Sequence, residues 1–262
     1  MKRITPFMLV LVLTAAAAAA QNNPNAVSIV EASRNRSNAQ TTSTRARMVI
    51  TARGGGTTER NIDQYSKDGP NGSRTVIVFQ SPASVRGTRF LTMKNAAGGT
   101  DQWIFLPSLG KVRRIASSES GGNFMGTDMS YDDIASTSRV VNDDTHSMLR
   151  EETLEDEDAA CYVIQSIPRD SSYQYSKMIS WIDKNTYAVR KMELYDRRGV
   201  LAKVMEASQF ENIQGQMTAR VSRMSTVSAG TSTTLYIDIL KYDDPIPEGV
   251  FTTAYLETGR AR

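Results

Sequence analysis

Apolar and polar positions alternate with a period of two through most of this chain. Leu235, Ile237 and Ile239 alternate with Tyr236, Asp238 and Leu240, and Met217, Ala219 and Val221 alternate with Thr218, Arg220 and Ser222. Successive side chains of a strand point to opposite faces, so this pattern predicts strands with one apolar and one wet face. A different period occurs once near the start. Pro24 to about Asn35 reads as a helix, with Ala26, Ile29 and Val30 on one face at the spacing i, i+3, i+4.

From Thr42 onward the pattern is one of short strands. Arg47–Arg53 runs into Gly54–Gly55–Gly56 and returns through Thr57–Lys67, which predicts a hairpin. Asp68–Gly69–Pro70–Asn71–Gly72 is a dense turn signal, followed by strands at Arg74–Gln80, Thr88–Lys94, Asp101–Leu106 and Lys111–Ala116. Residues 117–128 form a Ser/Gly-rich loop, and Ser130 caps a short helix, Tyr131–Ile134. Further strands are expected near 146–154, 160–167, 177–183, 187–195, 200–211, 215–228 and 231–241. Tight turns such as Asp183–Lys184–Asn185 and Asp196–Arg197–Arg198–Gly199 imply an antiparallel meander. The fold class is therefore mainly β within α+β, as one domain over residues 21–262. A sheet this long must curl and close, or cover its apolar face with helices.

The first twenty residues change the picture of where the protein works. Lys2 and Arg3 precede an apolar run, Phe7–Thr14, and small residues, Ala15–Ala20. That layout predicts a secretory signal peptide over residues 1–20, cleaved after Ala20, and an exported protein that is not integral to the membrane. A membrane anchor is the alternative, but the run is short and no second span follows. Lys2 and Arg3 leave with the signal, so 29 basic residues face 28 acidic ones in the remaining 242. Near-neutral balance argues against nucleic acid, which needs a concentrated basic face. Cys161 is the one cysteine, in the apolar run Cys161–Ile164, and is expected to be a buried structural thiol. Ten methionines remain beyond the signal, a flexible lining where an apolar surface must adapt, or ordinary core.

The most distinctive stretch is Gln102–Trp103–Ile104–Phe105–Leu106–Pro107–Ser108–Leu109–Gly110–Lys111–Val112–Arg113–Arg114–Ile115, continued by Asn123–Phe124–Met125–Gly126–Thr127–Asp128 and Tyr131–Asp132–Asp133. Together with the order signal, helix, long hairpin and Trp-containing strand, it resembles the LolA-like outer-membrane lipoprotein-sorting proteins. The resemblance implies an unclosed antiparallel β-barrel with a short helical lid over an apolar concave face. It implies a periplasmic carrier that shields the acyl chains of lipoproteins or other lipids on the way to the outer membrane. Partners would be an inner-membrane exporter and an outer-membrane acceptor. LolA carriers have an Arg before a Pro after their second long strand, helping to hold the lid. Here Lys67–Asp68–Gly69–Pro70 stands there, so that latch does not carry over.

Candidate lipid-binding residues are Phe90, Trp103, Phe105, Arg113, Arg114, Phe124, Met125 and Tyr131. Phe90, Trp103 and Phe105 are expected on one partly filled apolar face, a closed core being the alternative. Arg113 and Arg114 point to opposite sides of a strand, so at most one meets a head group, while pairing with Asp128, Asp132 or Asp133 is the structural reading. Phe124–Met125, between turn-forming glycines, suits a mobile flap or an anchored loop. Tyr173 and Tyr175 read as surface or rim residues. No catalytic residue, metal or cofactor is expected. A Gly-x-Ser-x-Gly elbow is missing, His146 is a lone histidine read as a solvated loop residue, and no His/Cys cluster has metal-ligand spacing. A lipid carrier therefore leads, a sensor that detects lipid and regulates a membrane partner is the alternative, and a lipid hydrolase is a distant third.

Overall fold

The computed structural model describes residues 25–69, 72–94, 99–136, 139–155 and 158–261. The expected signal segment 1–20, Pro24, the turn residues Pro70 and Asn71, and Asp156–Glu157 of the acidic run lie outside them. The described chain begins with helix α1 (Ala26–Arg34), whose N-cap is Asn25: its side chain accepts from the Ser28 N–H at 2.8 Å.

Thirteen strands follow in one antiparallel sheet: β1 (Thr41–Thr51), β2 (Thr57–Lys67), β3 (Arg74–Ser81), β4 (Arg89–Lys94), β5 (Thr100–Leu106), β6 (Lys111–Arg114), β7 (Asp144–Leu154), β8 (Ala159–Pro168), β9 (Tyr175–Asp183), β10 (Val189–Asp196), β11 (Leu201–Ile213), β12 (Gln216–Thr226) and β13 (Thr231–Tyr242). Helix α2 (Tyr131–Ala135) interrupts them, and α3 (Thr253–Thr258) follows β13. The expected strands and the Ser130-capped helix are all present, although β1 starts well before Arg47.

The strand order is β6-β5-β4-β3-β2-β1-β13-β12-β11-β10-β9-β8-β7. β1 and β13 pair along the middle, and the edges β6 and β7 do not pair with each other, so the sheet is an unclosed half-barrel. A flat sheet of this order would separate its edges by about 58 Å at ~4.8 Å per strand. The chain must nevertheless pass from one edge to the other, through residues 115–143.

That crossing segment shows which face is concave. Tyr131 accepts through its carbonyl from Gln102 on β5, Phe124 packs on Phe79 of β3 and Phe90 of β4, Asp128 bonds to β12 and β13, and Asp133 bonds to Lys203 on β11. One short segment touches all these strands on the same face only if the sheet curls around it. This inner face carries Ala46, Met48, Ile62, Ile77, Phe79, Phe90 and Ile104. Helix α1 buries Ala26, Ile29 and Val30 against Ile164 and Ile182 at the other end of the sheet.

The outer face is covered as well at the β2–β6 end of the sheet. Val76, Val78 and Leu91 pack against Ile246, Val250, Phe251 and Leu256 of the C-terminal segment. Gly259 caps α3 at φ +67°, where a Cβ would come within 2.8 Å of Arg89, and Arg89 donates to the Leu256 carbonyl at 2.7 Å. This second cover overturns the expectation of one apolar and one wet face. Val221 stands opposite Tyr236, and Ser222 opposite Leu235, so the apolar residues of β12 and β13 lie on different faces. Cys161 is buried beside Val163 and Trp181, as expected of a structural thiol.

Candidate lipid-binding face

The centre of the inner face is a cluster of rings. Phe124 lies 5.0 Å from Phe90, 5.8 Å from Phe79 and 5.5 Å from Tyr131, centroid to centroid, and meets Tyr131 edge-on. Phe90 and Tyr131 are 5.6 Å apart. The turn that delivers Phe124 places Met125 at φ 51°, and Arg60 donates to the Met125 carbonyl at 2.6 Å. Met129, Ile134 and Val85 complete the apolar filling.

This apolar segment is tied down by carboxylates. Asp128 is buried and accepts from the hydroxyls of Thr226 at 2.6 Å, Thr233 at 2.8 Å and Thr231. Asp133 caps α2 reciprocally with Ser130, then accepts from Lys203 Nζ at 2.7 Å, Tyr175 Oη at 2.8 Å and Gln174 Nε2 at 3.2 Å. Burial, and next the Asp133 charge, push the Tyr175 hydroxyl far above its usual range, so it stays a neutral donor. A cleft of about 730 Å³ opens beside the segment. It runs from Thr100, Gln102 and Arg114 past Asp132 and Ser136 to Arg139, Asp143 and Arg169. Burial raises the Asp132 carboxyl above its ordinary value. Beyond the segment, Met192, Met205 and Met224 stand side by side across β10, β11 and β12, all half-buried.

A half-barrel whose inner face is crossed by a short helical lid has known counterparts. A putative outer-membrane lipoprotein-sorting protein domain from Vibrio parahaemolyticus matches with TM-score 0.82 at 26% identity, over 88% of this chain and 98% of that one. A LolA superfamily protein from Nitrosomonas europaea matches with TM-score 0.72 at 25% identity, over 89% and 100%. A DUF1329 family protein from Desulfovibrio piger matches with TM-score 0.82 at 27% identity, over 88% and 97%. A family model described as "Uncharacterized protein" matches residues 71–258. The chain belongs to this LolA-like family. No curated protein sequence matches it.

The LolA-like fold brings together only some of the residues singled out from the sequence. Phe90, Phe124, Met125 and Tyr131 meet on the inner face. Trp103 and Phe105 do not: Leu91 pairs with Trp103 and Phe90 with Ile104, which sends Trp103 and Phe105 to the outer face under the C-terminal segment. The expectation that Phe90, Trp103 and Phe105 share one face is therefore corrected. Its premise was a single apolar face, whereas these strands are apolar on both. Arg113 pairs with Glu119 at 2.6 Å and Arg114 with Asp101, not with Asp128, Asp132 or Asp133. Lys67, which stands nearest to where LolA carriers have their latch, pairs with Glu248 on the outer cover.

Three further corrections concern polar groups. Tyr175 is buried rather than at the rim. His146 lies in β7 instead of a loop, with Nδ1 2.8 Å from Ser166 Oγ and Nε2 2.9 Å from the Val141 carbonyl. Ser166 is buried, and the group orienting His146 is a carbonyl, so this pair lacks the carboxylate and the access of a hydrolase site. Asp128 and Asp133 were expected only as partners of Arg113 or Arg114, and Lys203 and Phe79 went unnoticed in the sequence. Only the Thr-rich Thr231–Thr234 run hinted at a carboxylate partner. Among the described residues no His/Cys/Asp/Glu group is placed to hold a metal, and no helix is long and apolar enough to cross a membrane.

Proposed function

We propose that this chain carries acyl chains of lipoproteins or other lipids through the periplasm toward the outer membrane. It would receive them from an inner-membrane exporter, pass them to an acceptor, and perform no catalysis. The observation that carries this reading is the crossing segment: an apolar plug on an apolar concave face, held by buried carboxylates. An acyl chain in water costs ~0.8 kcal/mol per methylene, so about fourteen methylenes need ~11 kcal/mol of shielding. Phe124, Met125, Met129 and Tyr131 fill the groove without ligand. A chain that replaces them conserves apolar contact, so the bias between closed and loaded states rests on the Asp128 and Asp133 hydrogen bonds. The Met192–Met205–Met224 row extends the wall with side chains that adapt to variable chains.

A lock on the segment tests this. Asp128→Cys with Thr233→Cys joins two side chains already in contact, and native Cys161 is buried out of reach. The oxidised variant should lose binding of a fluorescent fatty-acyl probe and regain it on reduction. Equal binding in both states would exclude the face beneath the segment as the site. Absence of probe binding by the wild type, together with no lipid on protein isolated from its host by native mass spectrometry, would exclude the carrier role.

A further inference from the structure

One row of the inner face is polar where its neighbours are apolar. Thr42, Ser66, Thr75, Thr92 and Gln102 stand opposite one another across β1 to β5, beside the row Ile77–Phe90–Ile104. The Ser66 and Thr75 hydroxyls satisfy each other at 3.0 Å. Thr92 and Gln102 are each only 4% exposed, and among the described residues neither Thr92 Oγ1 nor Gln102 Oε1 has a hydrogen-bond partner. Gln102 Nε2 donates to the Tyr131 carbonyl at 2.9 Å, which fixes Oε1 as the unpartnered end. A buried polar group left unpaired is destabilising, and Leu or Val at either position would extend the apolar face without that cost. Gln102 also lines the 730 Å³ cleft, and the backbone that covers it belongs to the crossing segment.

We propose that Gln102 and Thr92 form a head-group subsite for neutral acyl amphiphiles with an N–H or O–H donor beside the chain's first carbonyl. N-acyl amides and monoglycerides share that chemistry. The inference rests on the carrier reading and assigns which end of the ligand is read. When the crossing segment leaves, Gln102 offers an acceptor and a released donor, matching a ligand N–H or O–H and its carbonyl, while Thr92 supplies a hydroxyl. The acyl chain then runs along Ile77, Phe90 and Ile104, and the rest of the head group occupies the cleft. Charge there disfavours an anion: Asp101, Asp132, Asp143 and Asp170 line it with Arg114, Arg139 and Arg169. Arg114 and Arg139 are already paired with Asp101 and Asp144. A fatty-acid carboxylate would bring a fifth negative charge and no donor for Gln102.

Displacement of a fluorescent acyl probe from the full chain by N-methyl lauramide, monolaurin, methyl laurate and laurate tests the subsite. The amide, the monoglyceride or both should bind about three- to tenfold tighter than the methyl ester, the range of one net hydrogen bond. The tighter of the two identifies the natural donor, and laurate should be weakest. Gln102→Met and the near-isosteric Thr92→Val, each checked by thermal melting, should reduce the ratio of amide or monoglyceride affinity to ester affinity. Equal wild-type affinity for amide, monoglyceride and ester overturns the subsite but leaves the carrier reading standing. An unchanged preference in both variants also overturns it. Failure of all four ligands to displace the probe overturns the carrier reading itself.

Discussion

Phe90 and Phe105 sit on adjacent strands in similar sequence surroundings, yet they answer to different neighbours. Phe90 is fully buried among Phe124, Tyr131 and Ile77. Phe105 is half-buried on the other face, where the Arg89 guanidinium lies 5.2 Å from its ring. Truncating a packed aromatic removes its transfer free energy and leaves a cavity, so Phe90→Ala should cost ~3–5 kcal/mol. Phe105→Ala should cost roughly half that, because part of the ring is already in water. Phe90→Ala should also loosen the crossing segment, and Phe105→Ala should instead make the C-terminal segment more sensitive to protease. Urea denaturation and limited proteolysis of the two variants separate these outcomes. Equal losses with the same cleavage pattern would mean that the two rings share one environment.

At the scale of elements, the crossing segment is held by polar bonds and filled by apolar contacts, the arrangement that the proposed carrier role requires of a removable cover. One of its ion pairs joins Asp133 to Lys203, with side-chain exposures of 7% and 11%. Breaking a buried pair by removing one partner strands the other, at about 3–5 kcal/mol. Replacing both by apolar or neutral groups of similar size is often close to neutral. Asp133→Asn should therefore destabilise the protein more than Asp133→Asn with Lys203→Met. Both should raise the affinity for an acyl probe, because each weakens the closed state that competes with ligand. Thermal melting and probe titration on the same preparations check this. Lower affinity in both variants would show that the latch assists the loaded state.

The whole molecule has a definite response to acid. Glu119, Glu152, Asp170, Asp183, Glu193, Asp196 and Glu248 all have carboxyls held below their ordinary values, whereas Asp132 is raised. Hydrogen bonds from Lys67 and then Arg74 lower Glu248, and the Trp181 indole and then Arg150 lower Glu152. For Asp183, burial pushes upward but is outweighed by hydrogen bonds from Thr186 and Arg190. A carboxyl lowered by folding binds fewer protons folded than unfolded. Its contribution is complete above the ordinary value of about 4 and is lost as pH falls through the lowered one. Asp132 acts in the opposite sense, favouring the folded state while it keeps its proton. Seven against one sets the sign: melting temperature should be flat from about pH 7 to 5 and fall below about pH 4. Melts across that range test it, and a melting temperature that rises on acidification would contradict it. Glu248→Gln should flatten the decline and free the C-terminal segment from Lys67 and Arg74.

Local chemistry by itself determined the strands, their turns and their direction. Period-two alternation, Gly-rich and Asp/Asn turns, and the Ser130 cap are decided within a few residues, and the Gln102–Asp133 stretch carried the family. Phe90, Phe124, Met125 and Tyr131 were legible as candidates but not as one cluster, since alternation placed Phe90 with Trp103 and Phe105 and left Phe124–Met125 as a separate loop. Which face each strand presents was settled only by the tertiary structure. Trp103 and Ile104 are both apolar, so alternation could not say which one meets the lid, and only the pairing of Leu91 with Trp103 does so. The C-terminal cover, the β1–β13 seam and the crossing of residues 115–143 depend on contacts between parts of the chain far apart in sequence. The same holds for Asp128, whose threonine partners lie 98 to 105 residues away, and for Asp133, 70 residues from Lys203. A carboxylate's role is fixed by what the fold brings to it, and a pattern of neighbours along the chain contains no record of that.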